Sequence, residues 1–353
     1  MKRYNVVTLA ATATIMSLLA ACSSGGTNET PAGEDGKLSG SLTVACGAME
    51  DLCQEWTSAF TKKTGVKTDF VRLSSGETVA RLAASKDSPE FDVWHGGPVD
   101  GFGAAKNEGL IAAYESPNAA KIPERYRDAE NYWNGVYVGV LGFCSNQKQL
   151  DKLGVDVPTS WDDLLDPKLK GQISTAHPST SGTAFTTLWT QVALGGSDQA
   201  GLDYMAKMHS NVLQYSKSGT APGQLAGRGE VGVGLVFSHD CVKYQNEGMT
   251  DLVVSFPEEG TGWEIGGVAL INGSKNEAAA QAYIDWALTP EAQNLGPEVG
   301  SFQVLTNPES LQDERMVKLD EVNLIDYDFI KAAAEKKALT ARFDDEIAAA
   351  PRE

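Results

Sequence analysis

From Ser41 onward the chain alternates short apolar runs with segments whose apolar residues recur three and four apart. Ser41 to Ala45 has the makeup of a buried strand. Glu50 to Thr64 reads as a helix: Trp56 and Phe60 share one face, and Gly65 stops it. Lys67 to Leu73 is a second strand, and Glu77 to Ser85 a helix with Val79 and Leu82 on one side. Phe91 to Trp94 is a short buried strand, and Val99 to Glu108 a helix closed by Gly109. This β-α-β-α-β-α order predicts a parallel sheet covered on both faces.

Tyr132 to Phe143 is long, apolar and broken by glycines, as suits a strand that crosses between two lobes. Pro158-Thr159-Ser160-Trp161 then opens a short helix, which Ser160 is placed to cap, with Asp162 and Asp163 at its positive end. Strands at Ile173–Ala176, Val212–Tyr215, Val231–Phe237 and Gly267–Ile271 alternate with helices at Gly182–Val192, Ala221–Arg228 and Glu277–Leu288. Another helix starts at Pro290-Glu291-Ala292, and Asp326 to Ala348 reads as an amphipathic helix. No repeat of fixed period is visible.

The segment ahead of this pattern is different. Lys2 and Arg3 precede an apolar run, Val6 to Leu19, that is too short and too weakly apolar to span a bilayer. The run ends Leu19-Ala20-Ala21-Cys22 and is followed by Ser and Gly, which looks like a bacterial lipoprotein cleavage box. The expectation is a signal peptide over 1–21, a diacylglycerol on the Cys22 thiol, and a flexible linker over 22–37. The protein would then sit outside the cytoplasm, held to the cell membrane by lipid. Four cysteines remain, Cys46, Cys53, Cys144 and Cys241. An even number in an exported chain suggests disulfides, and four allow three pairings. Cys46–Cys53 with Cys144–Cys241 is favoured, because the first pair is close in sequence across a strand end and the next helix. No Cys-x-x-Cys spacing supports a zinc site.

At 353 residues the chain has room for two domains, and 42% hydrophobic with 22% charged residues excludes bulk disorder. The net charge is −18, and without Lys2 and Arg3 it becomes −18 − 2 = −20. That argues against a nucleic-acid binder, which needs a basic face, and four histidines argue against a His-rich metal site.

Candidate chemistry gathers at strand-to-helix turns rich in Gly, Ser and Thr. Ser74-Ser75-Gly76, Gly96-Gly97, Ser179-Thr180-Ser181-Gly182-Thr183 and Ser218-Gly219-Thr220 each open a helix. Ligands of open α/β sheets bind beyond the carboxyl ends of the strands, where these turns lie. Free backbone N–H groups, hydroxyls and the helix dipole suit a phosphate-like anion there. Any one turn is explained as well by ordinary capping; four facing one cleft favour an anion. Arg72 and Lys217 lie near these turns, as readily solvated surface groups as sources of positive charge. The acidity of the chain does not exclude an anionic ligand, because distant surface charges are screened beyond ~10 Å at 0.1 M salt.

Several phrases, taken in order, carry a resemblance. They are Trp56 to Thr68 (WTSAFTKKTGVKT), Phe91 to Gly97 (FDVWHGG), Val157 to Gly171 (VPTSWDDLLDPKLKG), His177 to Phe185 (HPSTSGTAF), Ser218 to Asp240, and Phe256 to Ile271 (FPEEGTGWEIGGVALI). From about Leu42 to Leu305 the chain resembles bacterial ABC-transporter substrate-binding proteins of the ferric-ion-binding-like family, whose members also bind phosphorylated sugars, phosphonates and thiamine. The resemblance implies an α/β, two-lobe, type II periplasmic-binding-protein-like fold. Each lobe would be a mixed, mostly parallel sheet flanked by helices, with the ligand cleft between lobes. Lobe 1 would comprise 38–138 plus 265–305, and lobe 2 139–264 plus 306–353. The implied partners are a small phosphorylated ligand and ABC permease and ATPase subunits, with no cofactor, no nucleic acid and a monomeric state.

Relatives that bind iron(III) carry adjacent tyrosines near His239-Asp240, whereas this chain has no Tyr-Tyr pair, so the reading calls for no metal. A His–Asp pair with a later Glu is similar to the sugar-phosphate-binding members, where such residues hold sugar hydroxyls. His239, Asp240 and Glu264 match those positions. Ionised carboxylates only accept hydrogen bonds, so they demand hydroxyl or ammonium donors. His95 beside the Gly96-Gly97 turn, and Trp263 as a sugar-stacking face, complete the candidate set; Trp94 reads as core. A hexose phosphate is the first expectation, and a phosphonate of the 2-aminoethyl kind or iron(III) the second. A surface hydrolase, with paired carboxylates and a His doing acid–base work, is a less favoured expectation, because the chain carries no nucleophile elbow Gly-x-Ser-x-Gly and no HExxH box.

Overall fold

The computed structural model describes residue 38 and residues 40–349. The expected signal peptide, Cys22 lipid site and linker lie outside the described residues.

The first strand, β1 (Ser41–Cys46), runs into α1 (Glu50–Thr64), whose ends obey the helix dipole. Glu50 and Asp51 occupy its first turn, Lys62 and Lys63 its last, and Gly65 closes it at φ 82°, donating its N–H to the Thr61 carbonyl. Next come β2 (Lys67–Arg72) and α2 (Ser75–Ala84). The latter starts two residues before the position expected, because the Glu77 carboxylate accepts from the Ser74 N–H at 3.2 Å and caps the turn. Then follow β3 (Val93–Pro98), α3 (Val99–Asn107), β4 (Ile111–Ala112) and the long β5 (Asn134–Asn146), buried throughout.

The chain continues through α4 (Gln147–Leu153), β6 (Ile173–Ala176), α5 (Gly182–Gly195), α6 (Asp198–His209), β7 (Val212–Ser216), α7 (Ala221–Gly227), β8 (Val233–Phe237), α8 (Ser238–Asn246) and β9 (Leu252–Ser255). It closes with β10 (Trp263–Ile271), α9 (Glu277–Ala287), α10 (Pro290–Gln293), α11 (Leu295–Glu298), β11 (Val304–Leu305) and α12 (Phe329–Phe343). The helix expected after Pro158 is a single 3-10 turn, Asp162–Leu165. The Ser160 hydroxyl accepts from the Asp162 N–H at 3.1 Å, and the Asp163 carboxylate accepts from the N–H groups of Thr159 and Ser160. The C-terminal helix ends at Phe343 in a wider π-helical turn, Asp344–Ala348.

Eight strands form one path, β2-β1-β3-β10-β5-β8-β6-β7, with β4 paired to β10 and β9 and β11 to β5 beside it. Both ends are parallel: β1 with β2 and β3, β6 with β7 and β8. The middle is not. Because β10 returns antiparallel between β3 and β5, and β5 is antiparallel to β8, the sheet as a whole is mixed, while the strands of the first segment are parallel to one another as expected. Around this path lie two main apolar cores. One gathers Phe60, Trp94, Phe102, Val138, Ile265 and Tyr283; the other Leu141, Phe143, Phe185, Trp189, Phe237 and Phe343. Two strands serve both: β5 passes from the first core to the second between Val138 and Leu141, and β10 makes the opposite passage at Trp263. They pair where they cross, Trp263 with Val140 and Glu264 with Gly139.

Two disulfides lock the described chain. Cys46–Cys53 ties the end of β1 to α1, and Cys144–Cys241 ties β5 to α8 across a sequence separation of 97.

Candidate ligand cavity

A cavity with about 450 Å³ of empty space, its mouth included, opens where the strands end. From the first half it is lined by the β1–α1 turn (Gly47, Ala48, Met49), Arg72 at the end of β2, Ser74 and Ser75, Gly97 and Pro98, Tyr137 and Gln303. The second half supplies Ser181, Gly182 and Thr183 at the start of α5, Gly219 and Thr220, Phe237, His239 and Asp240 in the first turn of α8, and Glu264 of β10.

Eleven of the sequence candidates therefore come together: Ser74, Ser75, Gly97, Ser181, Gly182, Thr183, Gly219, Thr220, His239, Asp240 and Glu264. Six do not reach the cavity wall. The Gly76 N–H donates to the Thr180 carbonyl at 2.9 Å, and a Cβ there would stand 2.2 Å from the Ser179 carbonyl oxygen. Glycine is thus required where α2 meets the segment leading into α5. The Ser179 hydroxyl donates to the Asp344 carboxylate, and the Thr180 hydroxyl is 3.2 Å from the His177 carbonyl and 3.1 Å from that of Lys217. Ser218 pairs its hydroxyl with that of Thr220 at 3.0 Å.

His95 lies in the first core, not in the cleft. Its ring stacks on Trp56 at 3.7 Å, and its Nδ1 is 3.0 Å from the Tyr283 hydroxyl. It points inward because β3 continues through His95 to Pro98, beyond the Trp94 end expected from sequence. Trp263 offers no stacking platform either. Its ring packs edge-on against Phe329, and its Nε1 donates to the Ile325 carbonyl at 3.2 Å.

Sequence reasoning missed the Gly47–Met49 turn, Tyr137, Pro98, Phe237 and Gln303. The first had a signal, a Gly between a strand and a helix start. Tyr137 sits mid-strand and Gln303 lies far along the chain, so only the fold brings them in. Arg72 does line the cavity, with its Nε donating to the Ala48 carbonyl at 3.1 Å. Lys217 is exposed; its carbonyl, accepting from Ser74 and Thr180, is what it contributes.

The acidic part of the wall is nearly sealed. Asp240 is 3% exposed and Glu264 2%. Burial lowers His239 to about 3, so its imidazole is neutral, and its 3.5 Å approach to Asp240 is not an ion pair. Burial raises the Asp240 carboxyl to about 7, while Arg72 and Lys243 pull it back down. Glu264 is pushed well above the usual carboxylate range by burial, with Asp240 and Asp100 adding repulsion. Gly139 makes this grouping possible: a Cβ there would lie 2.7 Å from the Glu264 Oε1 and 2.9 Å from the His239 Cε1. The remaining wall is rich in donors: hydroxyls, the starts of α2 and α5, and the Arg72 guanidinium. Among the described residues, no three His, Cys, Asp or Glu side chains are grouped to hold a metal ion.

Residues 88–333 match the bacterial extracellular solute-binding protein family. The chain belongs to that family. A solved structure of the periplasmic binding protein AfuA from Actinobacillus pleuropneumoniae, with exogenous fructose-6-phosphate bound, superposes with a TM-score of 0.85 at 40% identity. The match covers 88% of this chain and 99% of that one, and the fold is the two-lobe type II periplasmic-binding arrangement. An uncharacterised protein of Haemophilus influenzae is 41% identical over 317 residues, 87% of this chain and 91% of its own. A putative 2-aminoethylphosphonate-binding periplasmic protein of Salmonella typhimurium is 31% identical over 173 residues, 49% of each chain. Solute-binding proteins of this family serve transport and are not enzymes; they deliver small ligands to the permease and ATPase components of ABC importers. Among the described residues no helix is long and apolar enough to cross a membrane.

Proposed function

We propose that this solute-binding protein captures a small phosphorylated organic molecule, a hexose phosphate first, for an ABC importer. The observation that carries the reading is the makeup of one cavity wall. Helix starts, hydroxyls and Arg72 suit a phosphoryl group. The nearly sealed set of His239, Asp240 and Glu264 suits several hydroxyls, which both donate and accept. Carboxyls that burial raises fit neutral hydroxyls without needing a cation. The likeness to a structure with fructose-6-phosphate bound supports the same choice.

A second reading is a phosphonate bearing an amine, favoured by the half-chain likeness to the Salmonella protein. An ammonium group would draw the protons off Asp240 and Glu264, so binding would release protons, whereas a hexose phosphate leaves those carboxyls much as they are. Isothermal titration of purified protein against hexose phosphates, 2-aminoethylphosphonate, free hexose, inorganic phosphate and ferric citrate, in buffers of differing ionisation heat, separates the readings. Saturable binding of a hexose phosphate with little proton release is the expected result. Binding of the phosphonate alone with proton release overturns the sugar assignment, and binding of ferric citrate alone overturns both.

The two apolar cores support lobes of 38–138 plus 265–305 and of 139–264 plus the α12 end of 306–353, with the ligand held between them; Leu319, earlier in that last segment, packs against the first core instead. The lipid anchor at Cys22 and a monomeric state belong to the same proposal. Mass spectrometry of the membrane fraction, with Cys22→Ser as control, checks the anchor.

A further inference from the structure

A second, smaller chamber lies behind the ligand cavity. Its walls are apolar apart from His95, Tyr137, Gln293 and Gln303. Tyr137 and Gln303 line both spaces and so form the partition between them. The chamber has room for roughly one water.

The protonation of His95 follows from its neighbour. Tyr283 is fully buried, and burial raises its hydroxyl, so the phenol keeps its proton. That proton needs an acceptor, and the His95 Nδ1 stands 3.0 Å away. A neutral imidazole has one accepting and one donating nitrogen. Nδ1 therefore accepts, and Nε2 carries the hydrogen. His95 is 1% exposed, and its Nε2 has no protein partner among the described residues. Native structures rarely leave a buried donor unmet. Across the chamber, the Gln303 carbonyl accepts from the Ser301 hydroxyl at 2.7 Å, which leaves a second lone pair.

We propose that the chamber is a fixed-water site. One water accepts from the His95 Nε2–H and donates to Gln303, and so becomes part of the partition against which the ligand rests. The site does not depend on which solute the main cavity takes.

The test is a crystal structure of the ligand-free protein at a resolution that orders water, joined to nitrogen NMR of the histidine rings. The expected result is one water about 3 Å from the His95 Nε2, with His95 as the Nε2–H tautomer. An empty chamber, or an Nδ1–H tautomer, overturns the proposal. A structure with ligand soaked in adds a third outcome: ligand atoms inside the chamber would make it part of the solute site and overturn the water assignment. His95→Phe is expected to lose the water, and its retention would also refute the proposal. Should that variant not fold, the wild-type crystal and spectrum decide the matter alone.

Discussion

Asp240→Asn trades ligand affinity for stability, and the size of the exchange follows from burial. The Asp240 carboxyl is 3% exposed, and its neighbour at 3.5 Å is a neutral imidazole. Burial first, against the pull of Arg72 and Lys243, raises it from 3.8 to about 7. In that window the folded chain holds a proton that the unfolded chain has released. Stability therefore falls as pH rises through the window and levels off above it. At 1.36 kcal/mol per pKa unit, the shift corresponds to at most about 4 kcal/mol above pH 8. Asparagine keeps the shape without the charge. The ligand-free variant should melt roughly 5–10 °C higher at pH 8 and almost unchanged near pH 4, where native Asp240 is protonated. Its affinity for solute should drop about 10–150-fold, the worth of one hydrogen bond to a charged group. Differential scanning calorimetry at pH 4, 6 and 8, with titration calorimetry at pH 8, measures both. A melting temperature unchanged or lower at pH 8 with a native circular dichroism spectrum, or an equal gain at pH 4, would refute the argument.

Gly139→Ala places a methyl between the Glu264 Oε1 and the His239 Cε1; the fold should survive with a loss of about 1–3 kcal/mol while solute affinity falls at least about tenfold. Unaltered binding would show that the two side chains are not fixed as described. Opening Cys144–Cys241, whose loop spans 97 residues, should cost about 4.7 kcal/mol by chain entropy, against about 2.4 kcal/mol for Cys46–Cys53, whose span is 7. Urea unfolding of the two Cys→Ala pairs checks the order, which the entropy account requires. Lys243 of α8 reaches the Asp51 carboxylate of α1 and the Val299 carbonyl at 3.0 Å. Because Asp51 is half-exposed, Lys243→Met should weaken binding about fivefold or less, through faster release, and high salt should mask the difference. A slower release rate in the variant would show that this contact does not help hold the halves together.

Much of the molecule was legible in the chain because its causes are local. Helix α1 runs over the residues its periodicity marks, since Trp56 and Phe60 share a face, acids open it and Gly65 ends it. Likewise β6 lies at Ile173–Ala176 as read. Four Gly/Ser/Thr turns pointed to one cleft, and each sends at least one residue to the cavity wall. The pattern carried no signal for α4 or α6. Asp198–His209 mixes polar and apolar residues with a mid-helix Gly201, and its helix depends on the Ser197 cap and on packing beside α5.

What the tertiary structure alone decided was direction and company. A strand's apolar content does not say whether it runs parallel or antiparallel, so the return of β10 between β3 and β5 was out of reach of the pattern. That return puts Glu264 opposite Gly139 and beside His239, 25 residues apart in sequence from Glu264 and adjacent in space. Periodicity also marks that a residue is buried without saying against which neighbour. Hence His95 reads the same whether it faces a solute or stacks on Trp56, and Tyr137 reads as an ordinary strand residue although it walls the cavity. Residue type and spacing are properties of the chain; the placement of one strand against another is set by long-range packing.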